Sequence, residues 1–68
     1  MTLSKFDREN VGAILADPRN DWFTAQLMRL VAKGDSQNRA LLAKGFPEEV
    51  WLVENHLGLT LTTRLEVA

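Results

Sequence analysis

DWFTAQLMRLVAK, residues 21–33, is the stretch whose reading decides the fold. At about 100° of turn per residue, Phe23, Leu27, Leu30 and Val31 fall on one stripe of a helix. Ala25, Met28 and Ala32 widen that stripe until the polar remainder is a narrow strip carrying Gln26, Arg29 and Lys33. A helix apolar around most of its circumference is touched by neighbours on more than one side. The rest of the chain is therefore expected to pack around this segment, with Phe23, Leu27, Leu30 and Val31 as scaffold.

Working upstream, Asp17-Pro18 ends an earlier helix, because a residue before proline is pushed out of the α region. The same pair can open the central helix, with Asp17 as cap and Pro18 at its first position, and Asn20 is the competing cap. The earlier helix is expected over 7–16 with Asp7 as N-cap, Phe6 and Val11 in hydrophobic-staple spacing, and Val11, Ile14 and Leu15 as its buried stripe. Residues 1–6 read as a flexible arm. Downstream, Gly34 stops the central helix, and Asp35 or Ser36 caps a third one that carries Leu41 and Leu42 through Lys44 to Gly45. Pro47 opens a fourth helix with Glu48 and Glu49 in its first turn, where negative charge suits the dipole. Phe46, Val50, Val53 and Leu57 form its inner stripe, and Gly58 closes it.

The last ten residues, LTLTTRLEVA, change period. Leu59, Leu61, Leu65 and Val67 alternate with Thr60, Thr62, Arg64 and Glu66, which is strand patterning with β-branched threonines. The expectation is thus a single all-α domain over 1–68, a compact bundle of four short helices with an extended or strand-like C-terminal tail over 59–68. A lone strand cannot satisfy its own backbone groups. The tail folds over the helices, pairs with its counterpart in a homodimer, or adds to the edge of a partner's sheet; Leu61 and Leu65 are its candidate contact residues.

Composition narrows the function classes. At 68 residues, a chain buries a small share of its surface, and such domains lean on disulfides, metals, oligomerisation or efficient helix packing. There is no cysteine, and the single histidine, His56, cannot assemble a zinc ligand set. No metal or other cofactor is expected. With 46% apolar and 25% charged residues and a formal net charge of −1, neither disorder nor a general coat for nucleic acid fits. No secretory pattern or bilayer-length apolar run occurs, so a cytoplasmic protein without membrane contact is expected. Catalytic motifs are missing too. Glu54 and His56 are the one acid–base pair, and at spacing i, i+2 on a helix they point apart. The expectation is that the chain is not an enzyme.

Two interaction readings remain. Trp22 falls over the polar strip of the central helix, and Trp51 with Leu52 falls away from the Phe46, Val50, Val53, Leu57 stripe. Large aromatics off the core face are enriched at protein interfaces, so Trp22, Trp51 and Leu52 are candidate partner-binding residues. The alternative is a small DNA-binding regulator. A helix, a turn at Gly34 and a second helix outline a helix-turn-helix, with Arg29, Lys33, Arg39 and Lys44 as cations and Gln37, Asn38 and Arg39 able to reach base edges.

The run from Asp21 to Val50, with its segments DWFTAQLMRLVAKGD, NRALL and KGFPEEV, resembles short proteins encoded by bacteriophages and prophages. The resemblance covers under half of the chain and carries over no site residues. It implies a non-catalytic binder, an accessory protein or an inhibitor that acts on a protein of a bacterial host.

Overall fold

In the computed structural model, which describes residues 3–62, the chain forms α1 (Lys5–Glu9), α2 (Val11–Ala16), α3 (Phe23–Lys33), α4 (Ser36–Gly45) and α5 (Pro47–Leu57). The all-α expectation holds for the described residues, but there are five helices rather than four. The helix expected over 7–16 is two. Ser4 rather than Asp7 starts it: the Ser4 hydroxyl accepts the Asp7 N–H at 3.1 Å and donates to the Asp7 carboxylate at 2.8 Å. This reciprocal exchange across three residues is close to a capping box. The break falls at Asn10 (φ −117°, ψ 25°), whose side-chain amide donates to the Phe6 carbonyl at 2.8 Å. Asparagine competes with helix propagation through local bonds of this kind. Leu3, read as part of a flexible arm, is buried, and its N–H donates to Glu48 at 3.3 Å.

Helix α3 starts later than either expected cap allows. Asp17 closes α2 and then turns its carboxylate to the Arg19 N–H (2.9 Å) and guanidinium (2.9 Å), so 17–22 is a turn with Trp22 at the N-cap of α3. The Arg19 side-chain bond, aided by the backbone bond, holds the Asp17 carboxyl below its usual range. At the far end Gly58, in the left-handed region at φ 68°, closes α5: the Leu59 N–H reaches the Glu54 carbonyl at 2.8 Å and the Gly58 N–H the Asn55 carbonyl at 3.3 Å. That pair of bonds is the Schellman arrangement, and it reverses the chain after α5.

The core joins Val11 and Ile14 of α2, Ala25, Leu27, Met28 and Val31 of α3, Ala43 of α4, and Val50 and Val53 of α5. Helix α3 is central, as its pattern implies, but its buried face is rotated from the expected stripe. Leu27 and Val31 are buried with Ala25 and Met28, whereas Phe23 and Leu30 are 60% and 55% exposed. The reason is the position of α4, which packs mainly on α5 and leaves the α3 edge beside it uncovered. The fourth expected helix is corrected in the same way. Val50 and Val53 are buried, Phe46 is half-buried and Leu57 is exposed, while Glu49 and Glu54 share the inner face. No strand occurs among the described residues. Leu61 is exposed, and Leu65, with the rest of 63–68, lies outside them. No helix among the described residues is long and apolar enough to cross a membrane.

Candidate functional site

Two regions of this fold hold groups that helix burial and surface solvation alone do not explain. The first is polar and internal. Arg39, 7% exposed, donates from Nε to Glu54 Oε2 at 2.8 Å and from its terminal nitrogens to the carbonyls of Gly34 (2.8 Å) and Thr60 (3.4 Å). Glu54 is fully buried and also accepts the Thr62 N–H at 3.0 Å and the Thr62 hydroxyl at 2.8 Å. Burial by itself would push the Glu54 carboxyl up. The Thr62 and Arg39 hydrogen bonds and the Arg39 charge outweigh it and hold the group below the usual carboxylate range. This cluster ties α4, α5 and the chain after Gly58 together. A second buried carboxylate, Glu49, has no hydrogen-bond partner for either oxygen among the described residues.

The second region is apolar and external. Leu30 of α3 and Leu41 of α4, which is 62% exposed, line one part of a trough, and Phe23 with Leu30 lines the adjoining part, over the half-buried Leu42 and Phe46. The Phe23 and Phe46 rings meet at 5.7 Å between centroids. The trough consists of two adjoining depressions of about 440 and 460 Å³ that share Leu30 and Leu42. Its polar edge is Gln26, Lys33 and Asn38. Among the described residues, no carboxylate lines it.

The tryptophans are placed differently from this trough. Trp22 is 38% exposed, and its indole Nε1–H donates to Asp7 at 3.0 Å while its face takes the edge of Phe6 at 5.9 Å. Trp51 and Leu52 are half-buried beside Arg8, Glu9 and Val11. Both indoles thus lie against the N-terminal helices. Of the cations read as a DNA-facing set, Arg39 is consumed by Glu54, and Arg29 is half-buried with its guanidinium on the carbonyls of Ile14 and Asp17 at 3.3 Å each. Lys33, Gln37, Asn38 and Lys44 are exposed. Glu54 is buried and His56 exposed, in keeping with side chains two residues apart on a helix.

Sequence reasoning missed both the internal cluster and the apolar trough. The signal for the first was present. Glu54 follows Val50 by four and Arg39 precedes Ala43 by four, so each shares a helix face with a buried apolar residue. The trough had no such signal, because Phe23 and Leu30 keep core spacing. Among known proteins, the chain matches no family model, no curated protein and no solved structure.

Proposed function

We propose that this chain is a non-catalytic protein-binding module that docks its partner in the trough between α3 and α4. One observation carries the reading: Phe23, Leu30 and Leu41, at 60%, 55% and 62% exposure, line two adjoining depressions that share Leu30 and Leu42 on the surface of a very small domain. Contiguous exposed apolar groups of this kind mark interaction sites, and buried aromatic and aliphatic anchors supply most of the energy there. This reading prefers the α3–α4 face to the expected set Trp22, Trp51, Leu52, Leu61 and Leu65, the last of which lies outside the described residues. The likeness of residues 21–50 to phage-encoded proteins supplies the context, an accessory protein or inhibitor acting on a bacterial protein.

The test is retention of proteins from a bacterial lysate by the wild-type chain and by a Leu30→Ser/Leu41→Ser variant with the same helical circular dichroism. A protein held by the wild type and lost by the variant is the expected result. Equal retention by both would overturn the reading. DNA retention that falls as salt is raised would favour the helix-turn-helix alternative, for which Gln37 and Asn38 stand exposed in the first turn of α4.

A further inference from the structure

The chemistry of the trough restricts what fills it, and this step rests on the docking reading above. Both walls are helices whose interior backbone groups are hydrogen-bonded within α3 and α4, so the trough offers no strand edge. An occupant that lies along it has to satisfy its own backbone while presenting apolar side chains on one side. That is the property of an amphipathic helix. The dimensions agree: α3 has 11 residues, about 16 Å at 1.5 Å per residue, room for about three turns of a second helix. Anchors at i, i+3 or i+4, and i+7 would meet Phe46 and Phe23 at one end, Leu30 and Leu42 in the middle and Leu41 at the other.

Charge then sets the sign of the occupant. Lys33 is the one charged residue lining the trough, at the end where α3 runs into α4. Lys44, one turn beyond Leu41, is exposed but lines neither depression. Neither lysine has a carboxylate within ion-pair distance among the described residues. The nearest acid to Lys33 in sequence, Asp35, spends its carboxylate capping α4, accepting the Asn38 N–H at 2.8 Å. Asp21 is the other acid near α3; it precedes Phe23 and does not line the trough. A second copy of the chain seated face to face would bring no carboxylate to Lys33, because a two-fold contact uses the same patch on both sides and no acid lines this one among the described residues. We infer that the trough binds an acidic amphipathic helix of another protein, its apolar stripe on Leu30, Leu41 and the two phenylalanines and its carboxylates beside Lys33.

The experiment is selection from a displayed library of random peptides of about 14 residues, close to four helical turns. The full chain is the bait, with counter-selection on the Leu30→Ser/Leu41→Ser variant. The expected result is enrichment of peptides with apolar residues at i, i+4 and i+7 and Asp or Glu between them. Their affinity should drop about tenfold on Lys33→Glu at low salt, where exposed charges are least screened. Trough-dependent peptides with no acidic bias, or with a basic one, would overturn this inference and leave the docking reading standing. No peptide sensitive to the leucine substitutions would overturn both. Sedimentation of the free chain closes the remaining route. A monomer is expected, and a dimer that Leu41→Ser dissociates would assign the trough to a second copy instead.

Discussion

Arg39 and Leu41 lie two residues apart on α4, and each occupies the place that partitioning between water and interior gives the other: the arginine is 7% exposed and the leucine 62%. The two facts have one cause. Helix α4 is held to α5 by the Arg39–Glu54 pair and by the small side chain of Ala43, and with that edge turned inward the leucine edge is turned out, beside α3. A buried ion pair is seldom a better source of stability than apolar packing of the same volume. What it does here is choose a face. Had α4 docked through Leu41 and Leu42, the trough between α3 and α4 would be closed.

That comparison is most sharply broken at Arg39. Arg39→Met leaves the Glu54 carboxylate buried without its cation, a change expected to cost about 3–5 kcal/mol, comparable to the whole stability of so small a domain. Urea unfolding followed by circular dichroism measures it, and an unchanged midpoint would remove the ion pair from the account. Arg39→Met/Glu54→Leu should recover most of the loss. The same cluster sets a pH dependence. Because the folded state lowers the Glu54 carboxyl, the stabilisation is complete above the ordinary glutamate value of about 4.3 and is lost as pH falls through the lowered folded value. Acid titration of the wild type should therefore show a loss that Glu54→Gln does not show.

Next in size is the contrast along α3 itself. Met28→Ala, at a fully buried site, should cost about 2–4 kcal/mol, against about 0.5 kcal/mol or less for Leu30→Ala, two residues on. Equal costs in thermal unfolding would mean that Leu30 is covered. Glu49 supplies a third comparison, a carboxylate as buried as that of Glu54 but with none of its donors among the described residues. Glu49→Met is expected to raise stability by about 1–2 kcal/mol, since it removes a buried polar group with no hydrogen-bond partner among the described residues. A loss on the same measurement would show that the carboxylate has a partner. The smallest effect falls on the trough: Leu41→Ser should change stability by no more than about 0.5 kcal/mol while abolishing peptide binding.

Much of this fold is legible in the chain. Proline at 47 and glycines at 34 and 58 mark the ends of α3 and α5, and of the two expected caps of α4, Asp35 and Ser36, it is Asp35 that caps. The miss at the N-terminus came from weighing Asp7 alone, when Ser4 and Asp7 act on each other. The miss on α3 is of another kind. Helical period tells which residues share a stripe, and it is silent on how many sides of the helix are covered. Phe23 and Leu30 satisfy the core pattern and are exposed because of where α4 sits, which depends on Arg39 and Glu54, fifteen positions apart. Of the candidate partner residues, Trp22 is partly satisfied by Asp7, a contact across fifteen positions that periodicity does not report.

Three donors converge on the one carboxylate of Glu54: the Arg39 guanidinium, the Thr62 amide and the Thr62 hydroxyl. Groups that share an acceptor do not contribute independently, so substitutions at Arg39 and Thr62 are expected to be strongly epistatic. A chain that has lost the arginine depends more on the threonine, which then supplies the remaining donors to that buried carboxylate, and one that keeps the threonine tolerates a lysine at 39 better than one that does not. Two positions that look unrelated in sequence are thus expected to show a coupling energy in a double-mutant cycle.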